Sequence, residues 1–177
     1  MPNWCANTVN IIHEDPAMIV RARSAFEAGK FLEEFIPCPT PDDWYNWNIA
    51  NWGTKWDIGG SDGNATDIPD GNGVVRGLSL SFDSAWAPPI DAYAKLMEHG
   101  FKIEAWYYEP GMAFCGKWED GVDDYYEYSG MNSDEVADTL PSELDEMFCI
   151  SESMADWESE QENEDIDLDG GLSATNE

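Results

Sequence analysis

The side chains from which a nucleophile and its base are most often built are few here: two histidines and four cysteines in 177 residues. Cys5 and His13 share strand parity but lie about 26 Å apart along an extended chain, too far to act as a pair. His99 falls at the end of a helical pattern, where the dipole favours an imidazolium. Cys5, Cys38, Cys115 and Cys149 are widely spaced and form no paired motif, so they read as core thiols, not as a disulfide framework or metal site. Gly71, Gly73 and Gly77 miss dinucleotide spacing by one and precede a strand, which implies a turn. Asp165-x-Asp167-x-Asp169-Gly170 matches the first half of an EF-hand loop. Asn176, however, stands where a bidentate glutamate belongs, and the segment reads as solvated acid. Adjacent carboxylates such as Glu33-Glu34 and Asp42-Asp43 do not face each other on a helix. No catalytic constellation emerges, and no cofactor or metal is implied.

Binding chemistry is better supplied. Trp44, Trp47, Trp52, Trp56 and Trp86 serve either as core or as an aromatic pocket that stacks a base or holds a peptide. The other resource is acid: 37 Asp and Glu against eight Lys and Arg, a formal charge of −29. Residues 1–117 carry 16 acids and 8 bases, or −8, whereas residues 118–177 carry 21 acids and no base, or −21. Such a field repels phosphate backbones and anionic membranes and attracts basic protein surfaces, which disfavours direct binding of nucleic acid. In helical form Glu152, Asp156, Glu160 and Glu164 stand about 6 Å apart on one face. In extended form Glu158, Glu160, Glu162 and Glu164 recur about every 6.6 Å. Asp165, Asp167 and Asp169 continue the line. Either form could occupy a cleft built for phosphates. Like charges at helical spacing weaken a free helix, so a basic partner would help to order it.

These residues must be positioned by a body rich in aromatics. Cys5–Ile12 reads as a strand with Cys5, Asn7, Val9 and Ile11 on one face. Asp15-Pro16 opens a helix over 16–28, with Ile19, Ala22, Ala25 and Phe26 inward and Gly29 ending it. Phe31–Thr40 is expected to be a buried connector holding Phe31, Leu32, Phe35 and Ile36, followed by an extended break at Pro37, Pro39 and Pro41. A short helix within Asp42–Trp52 closes at Gly53, a short strand follows over Thr54–Ile58, and residues 59–73 read as a mobile loop. Arg76, Leu78, Leu80 and Phe82 share a strand face. Pro88-Pro89 opens a helix with Ile90, Tyr93, Ala94 and Met97 inward, ending at His99-Gly100. Phe101–Tyr108 is a strand, Glu109-Pro110-Gly111-Met112 a type II turn, and Met112–Trp118 the returning strand, with Asp124–Tyr128 as a further one. The order predicts an α+β protein, a ferredoxin-like split βαβ sandwich on an antiparallel sheet with extra C-terminal hairpin strands. Residues 1–130 form that domain. Residues 131–177 form an acidic helical segment and tail, with helices capped by Ser133 and opened by Pro141, and with Leu144, Met147, Phe148, Met154 and Trp157 near one side.

Four segments carry a resemblance. They are Met1-Pro2-Asn3-Trp4-Cys5-Ala6-Asn7, Asn51-Trp52-Gly53-Thr54-Lys55-Trp56-Asp57, Ser84-Ala85-Trp86-Ala87-Pro88-Pro89 and Tyr108-Glu109-Pro110-Gly111-Met112-Ala113-Phe114-Cys115-Gly116. Together they resemble the YubB-like family of phage and plasmid proteins, whose function is undefined and whose fold is ferredoxin-like. Ala87 departs from the pattern, which has serine there, and the segment after Met131 lies outside it. The resemblance implies the fold and a mobile-element origin, but transfers no catalytic residue.

With no apolar run of about 20 residues and no signal-peptide pattern at the N-terminus, the expectation is a soluble cytoplasmic protein. The expected function is inhibition of a basic, nucleic-acid-handling host defence protein, partly by mimicking nucleic-acid charge. The alternative is a nucleotide-type ligand module built on the Trp-rich segment, which would need Lys55, Arg76 and Lys102 to converge.

Overall fold

A computed structural model describes the backbone of residues 3–170 and the side chains of residues 3–161. The chain divides into two units, residues 1–127 and 128–177.

The first unit is built on a six-stranded antiparallel sheet of order β2-β3-β1-β4-β5-β6. The strands are β1 (Trp4–Ile12), β2 (Asn64–Pro69), β3 (Val75–Ala85), β4 (Lys102–Glu109), β5 (Phe114–Glu119) and β6 (Val122–Glu127). The first four, with helices α1 (Pro16–Glu27) and α4 (Ile90–Glu98) as crossovers, give the ferredoxin-like order, and β5 and β6 extend it past β4. Two further helices, α2 (Phe31–Phe35) and α3 (Trp44–Trp52), lie in the long connection between α1 and β2.

Alternation decides which face is covered. Cys5, Asn7, Val9 and Ile11 of β1 are buried, and so are Leu78, Leu80 and Phe82 of β3 and Ile103 and Ala105 of β4. Of these, Val9, Ile11, Leu78, Leu80, Phe82, Ile103 and Ala105 meet Ile19, Ala22 and Phe26 of α1, Phe31, Leu32 and Phe35 of α2, Trp52 of α3 and Tyr93 and Leu96 of α4 in one core. Asp15 caps α1, its carboxylate accepting from Ala17 N at 2.9 Å. Gly53, at φ +81°, ends α3 in the left-handed conformation that only glycine adopts freely.

Several expectations are corrected. No strand forms over Thr54–Ile58; the second strand lies at Asn64–Pro69, inside the segment read as a loop. Polar residues hid it, because β2 is an edge strand with little buried surface. The connector after α1 is buried as expected, at Phe31, Leu32, Phe35 and Ile36, and it contains a helical turn over Phe31–Phe35. On α4 the buried residues are Ala92, Tyr93 and Leu96, while Ala94 is exposed. In the β4–β5 turn the positive φ falls on Ala113, not on Gly111. The buried Glu109 carboxylate holds that turn by accepting from Gly111 N (2.9 Å) and Met112 N (2.6 Å).

The second unit contains α5 (Ser133–Thr139), α6 (Ser142–Phe148) and α7 (Ile150–Gly170). Asn132, not Ser133, caps α5, through a capping box with Glu135. Leu144 is buried, whereas Met147 and Trp157 are exposed, so the apolar stripe read along this segment is only partly covered. Asp145 caps the start of α7, accepting from Ser151 N (2.7 Å) and Ser151 Oγ (2.6 Å).

Candidate functional site

The Trp-rich segment does not build one pocket from its five tryptophans. Trp52 belongs to the core: it is buried, its Nε1 donates to Ile36 O at 2.9 Å, and it meets Trp47 edge to face. Trp47 is half-buried against that core and beneath the Lys95 ammonium. Trp44 is exposed and packs on Tyr45. Only Trp56 and Trp86 combine at the surface, and they do so with two residues outside the expected set, Tyr45 and Trp4. Lys55 Nζ lies 4.4 Å from the Trp56 ring centroid and 5.4 Å from those of Tyr45 and Trp86. Trp4 meets Trp56 at a centroid distance of 5.8 Å with the rings tilted by 34°.

The backbone pays for this ledge. Trp86 sits at φ +68°, a left-handed conformation that costs a bulky residue about 1–3 kcal/mol. Its strained turn is pinned on three sides: Trp86 N donates to Asn3 O (2.9 Å), Thr54 Oγ1 to Ala85 O (3.1 Å) and Ser84 Oγ to Ala87 O (2.7 Å). Behind it, buried Asn7 donates through Nδ2 to Ser84 Oγ (2.9 Å) and Cys5 O (2.8 Å). Burial pushes the Cys5 thiol up to about 12, so it stays protonated and unreactive.

Beside the ledge lies a cavity of about 360 Å³, lined by the contacting pair Trp4 and Trp56 and by Asp57, Asp62 and Asp83. Asp57 accepts backbone N–H bonds from Leu32 (2.7 Å), Ile58 (2.8 Å) and Glu33 (2.9 Å), so it caps α2 and fixes the loop that carries Trp56. Burial raises the Asp57 pKa, against the pull of those amides. Gly59, at φ +93°, closes the loop against α1, where a Cβ would strike the Phe26 carbonyl oxygen.

The three cations required by the ligand-module reading do not converge. Lys55 lies on the aromatic ledge, whereas Arg76 and Lys102 line a separate cleft of about 510 Å³ with His13, Glu14 and Asp70. Arg76 is already committed there to Asp70 at 3.4 Å and to the Glu14 carbonyl. His13 is committed too: Asp15 N donates to its Nδ1 (2.9 Å), so its Nε2 carries the proton and donates to His99 O (3.0 Å).

In the second unit the acidic helix supplies the other candidate surface. Glu152, Asp156 and Glu160 are exposed on α7. Glu158 is not free for a partner, because its carboxylate accepts from Ser133 N (2.9 Å) and Ser133 Oγ (2.6 Å) at the start of α5. The backbone of Glu162, Glu164, Asp165, Asp167 and Asp169 continues α7; their side chains lie outside the described residues, as do residues 171–177 of the expected tail.

No family model matches the chain, and no curated protein matches it. Among solved structures it is similar to the crystal structure of a protein api92 from Yersinia pseudotuberculosis, family-model DUF1281. The identity is 21% and the TM-score 0.37, over 56% of this chain and 39% of that one. The chain thus spans about two fifths of that protein's length, a likeness too slight to argue from. Among the described residues no helix is long and apolar enough to cross a membrane.

Tyr45 and Trp4 were missed by sequence reasoning for different reasons. Tyr45 stood next to the chosen tryptophans. Trp4 lies on the face of β1 opposite Asn7 and Val9, and only its pairing opposite Ala85 brings it beside the Trp86 turn.

Proposed function

We propose that the protein is a phage- or plasmid-encoded binding protein that inhibits a basic, nucleic-acid-handling host defence protein, in part by presenting nucleic-acid-like charge. The line charge of α7 carries the reading. Nine carboxylates and no base occupy the 21 residues of the helix. At about 1.5 Å per residue that is one charge per ~3.5 Å, beside about 3.4 Å for one strand of B-DNA. A groove that accepts a phosphate strand meets a similar charge density along α7, on a rod of comparable reach. The mobile-element origin implied by the YubB-like resemblance accords with a target in host defence.

The test is capture of a nucleic-acid-binding protein from host lysate, followed by titration of the purified target with the full chain and with a variant carrying Glu152→Gln, Asp156→Asn, Glu160→Gln and Glu164→Gln. The expected result is binding that weakens with salt, is displaced by duplex DNA and falls at least about tenfold in the variant. Equal binding by both proteins at high salt would remove charge mimicry.

A further inference from the structure

The three-carboxylate cavity beside the ledge belongs to the first unit and has no role in the reading built on α7. We propose that it receives the guanidinium of an arginine side chain presented by a protein partner, with Trp4 and Trp56 as the aromatic faces and Asp62 and Asp83 as the hydrogen-bond acceptors.

Charge sets the sign of the guest. Among the described residues, Asp57, Asp62 and Asp83 and no basic side chain line the cavity. Asp57 is occupied by three backbone amides, whereas Asp62 and Asp83 are exposed and have no ion pair among the described residues, Asp62 accepting only a 3.3 Å bond from Ser61 Oγ. Aromatic faces set its type. Indole rings attract cations through their π-faces, and Trp56 of this wall already holds one, Lys55 Nζ at 4.4 Å from its ring centroid. A guanidinium satisfies both walls at once: it is planar, it stacks on aromatic faces, and its five N–H groups suit carboxylates in pairs. A quaternary ammonium would leave Asp62 and Asp83 without donors, and a lysine ammonium is more strongly hydrated and cannot stack.

The surroundings set its source. Trp4 is 48% exposed and Trp86 42%, and Trp44, Tyr45 and Ile49 are also exposed on the same unit. Exposed aromatics beside a pocket, here Trp4 and Trp56 in its wall with Tyr45 and Trp86 joined to Trp56 through Lys55, are the anatomy of a protein interface, where arginine and tryptophan concentrate the binding energy.

The experiment follows the tryptophan indole N–H resonances of the full-length protein, with Trp4 and Trp56 assigned from Trp4→Phe and Trp56→Phe. At fixed ionic strength the protein is titrated with an arginine peptide, its neutral citrulline counterpart, a trimethyllysine peptide and free arginine. Saturable shifts of Trp4 and Trp56 are expected with the arginine peptide. They should be about fivefold weaker with trimethyllysine and absent with citrulline. In the Asp62→Asn/Asp83→Asn variant, whose changes are at exposed positions, affinity should fall about tenfold while the other indole signals stay in place. Equal shifts by arginine and citrulline, or unchanged affinity in that variant, would overturn the proposal. So would shifts confined to Trp157, or free arginine binding as tightly as the peptide. Because α7 is untouched in the variant, failure here leaves the charge-mimicry reading standing, and the quadruple variant of α7 leaves this cavity intact.

Discussion

Replacing Trp52 with phenylalanine separates the structural from the functional use of the tryptophans. The substitution keeps an aromatic body in the core but removes the indole N–H that bonds Ile36 O at 2.9 Å. Ile36 is only 6% exposed, so its carbonyl has little access to water, and an orphaned buried acceptor costs about 1–3 kcal/mol. The ring lost from a packed site adds a cavity term of about 1 kcal/mol. The sum is about 2–4 kcal/mol, which in a unit of this size lowers the melting temperature by roughly 8–16 °C. Trp44→Phe is the matched control: Trp44 is exposed, and the change should stay within about 0.5 kcal/mol. Urea titration by near-ultraviolet circular dichroism compares the two, with the slope checked for constancy. If Trp52→Phe unfolds at the same urea concentration as Trp44→Phe, the assignment of Trp52 to the core is refuted and a pocket that includes it returns.

Two further outcomes follow from the thiols and from the second unit. A thiol reagent at pH 8 should label exposed Cys149 and half-buried Cys38 in the native protein, and Cys5 and Cys115 only after unfolding, as read by mass spectrometry. The folded Cys5 thiol holds its proton more tightly than the unfolded one. Its contribution to stability is therefore intact below pH ~9 and lost as the pH rises towards about 12, and Cys5→Ala should flatten that part of the alkaline denaturation curve. Glu158→Gln, which keeps the shape but loses the charge on Ser133, should speed hydrogen exchange of the Ser133 amide several-fold and leave the first unit's exchange unchanged.

The parts of the fold legible in the sequence were those in which local and tertiary signals agree. Asp15-Pro16 marked α1, and the four residues expected inward on it are the four buried ones. The alternation in β1 and β4 named their buried faces. β2 was illegible because Asn64, Thr66 and Asp67 obey no hydrophobic alternation; the strand exists because β3 offers it a ladder. The β5–β6 hairpin had a readable signal that went unused: Asp120 and Gly121 both take positive φ, the arrangement a two-residue turn demands and Asp-Gly supplies. At the candidate sites, residue type was informative and partnership was not. Glu158 looks like its neighbours in sequence, and only the packing of α5 on α7 engages it with Ser133. Lys55 looked like a ligand for phosphate, and the tertiary fold set it beneath aromatic rings.

An open six-stranded sheet is a template for its own polymerisation, and the two margins of this one are guarded by different chemistry. At β2, Pro69 has no amide to offer, Arg23 donates to the Ala65 carbonyl, and the same guanidinium pairs with Asp67. At β6 the guard is electrostatic: Asp124 and Glu127 on an exposed strand repel an identical edge. That second guard weakens as salt screens it, whereas the missing proline amide is indifferent to salt. At high ionic strength, pairing is therefore open to β6 alone, margin to margin about a two-fold axis. With the opposite margin still closed, such association stops at two copies and does not run on into fibres.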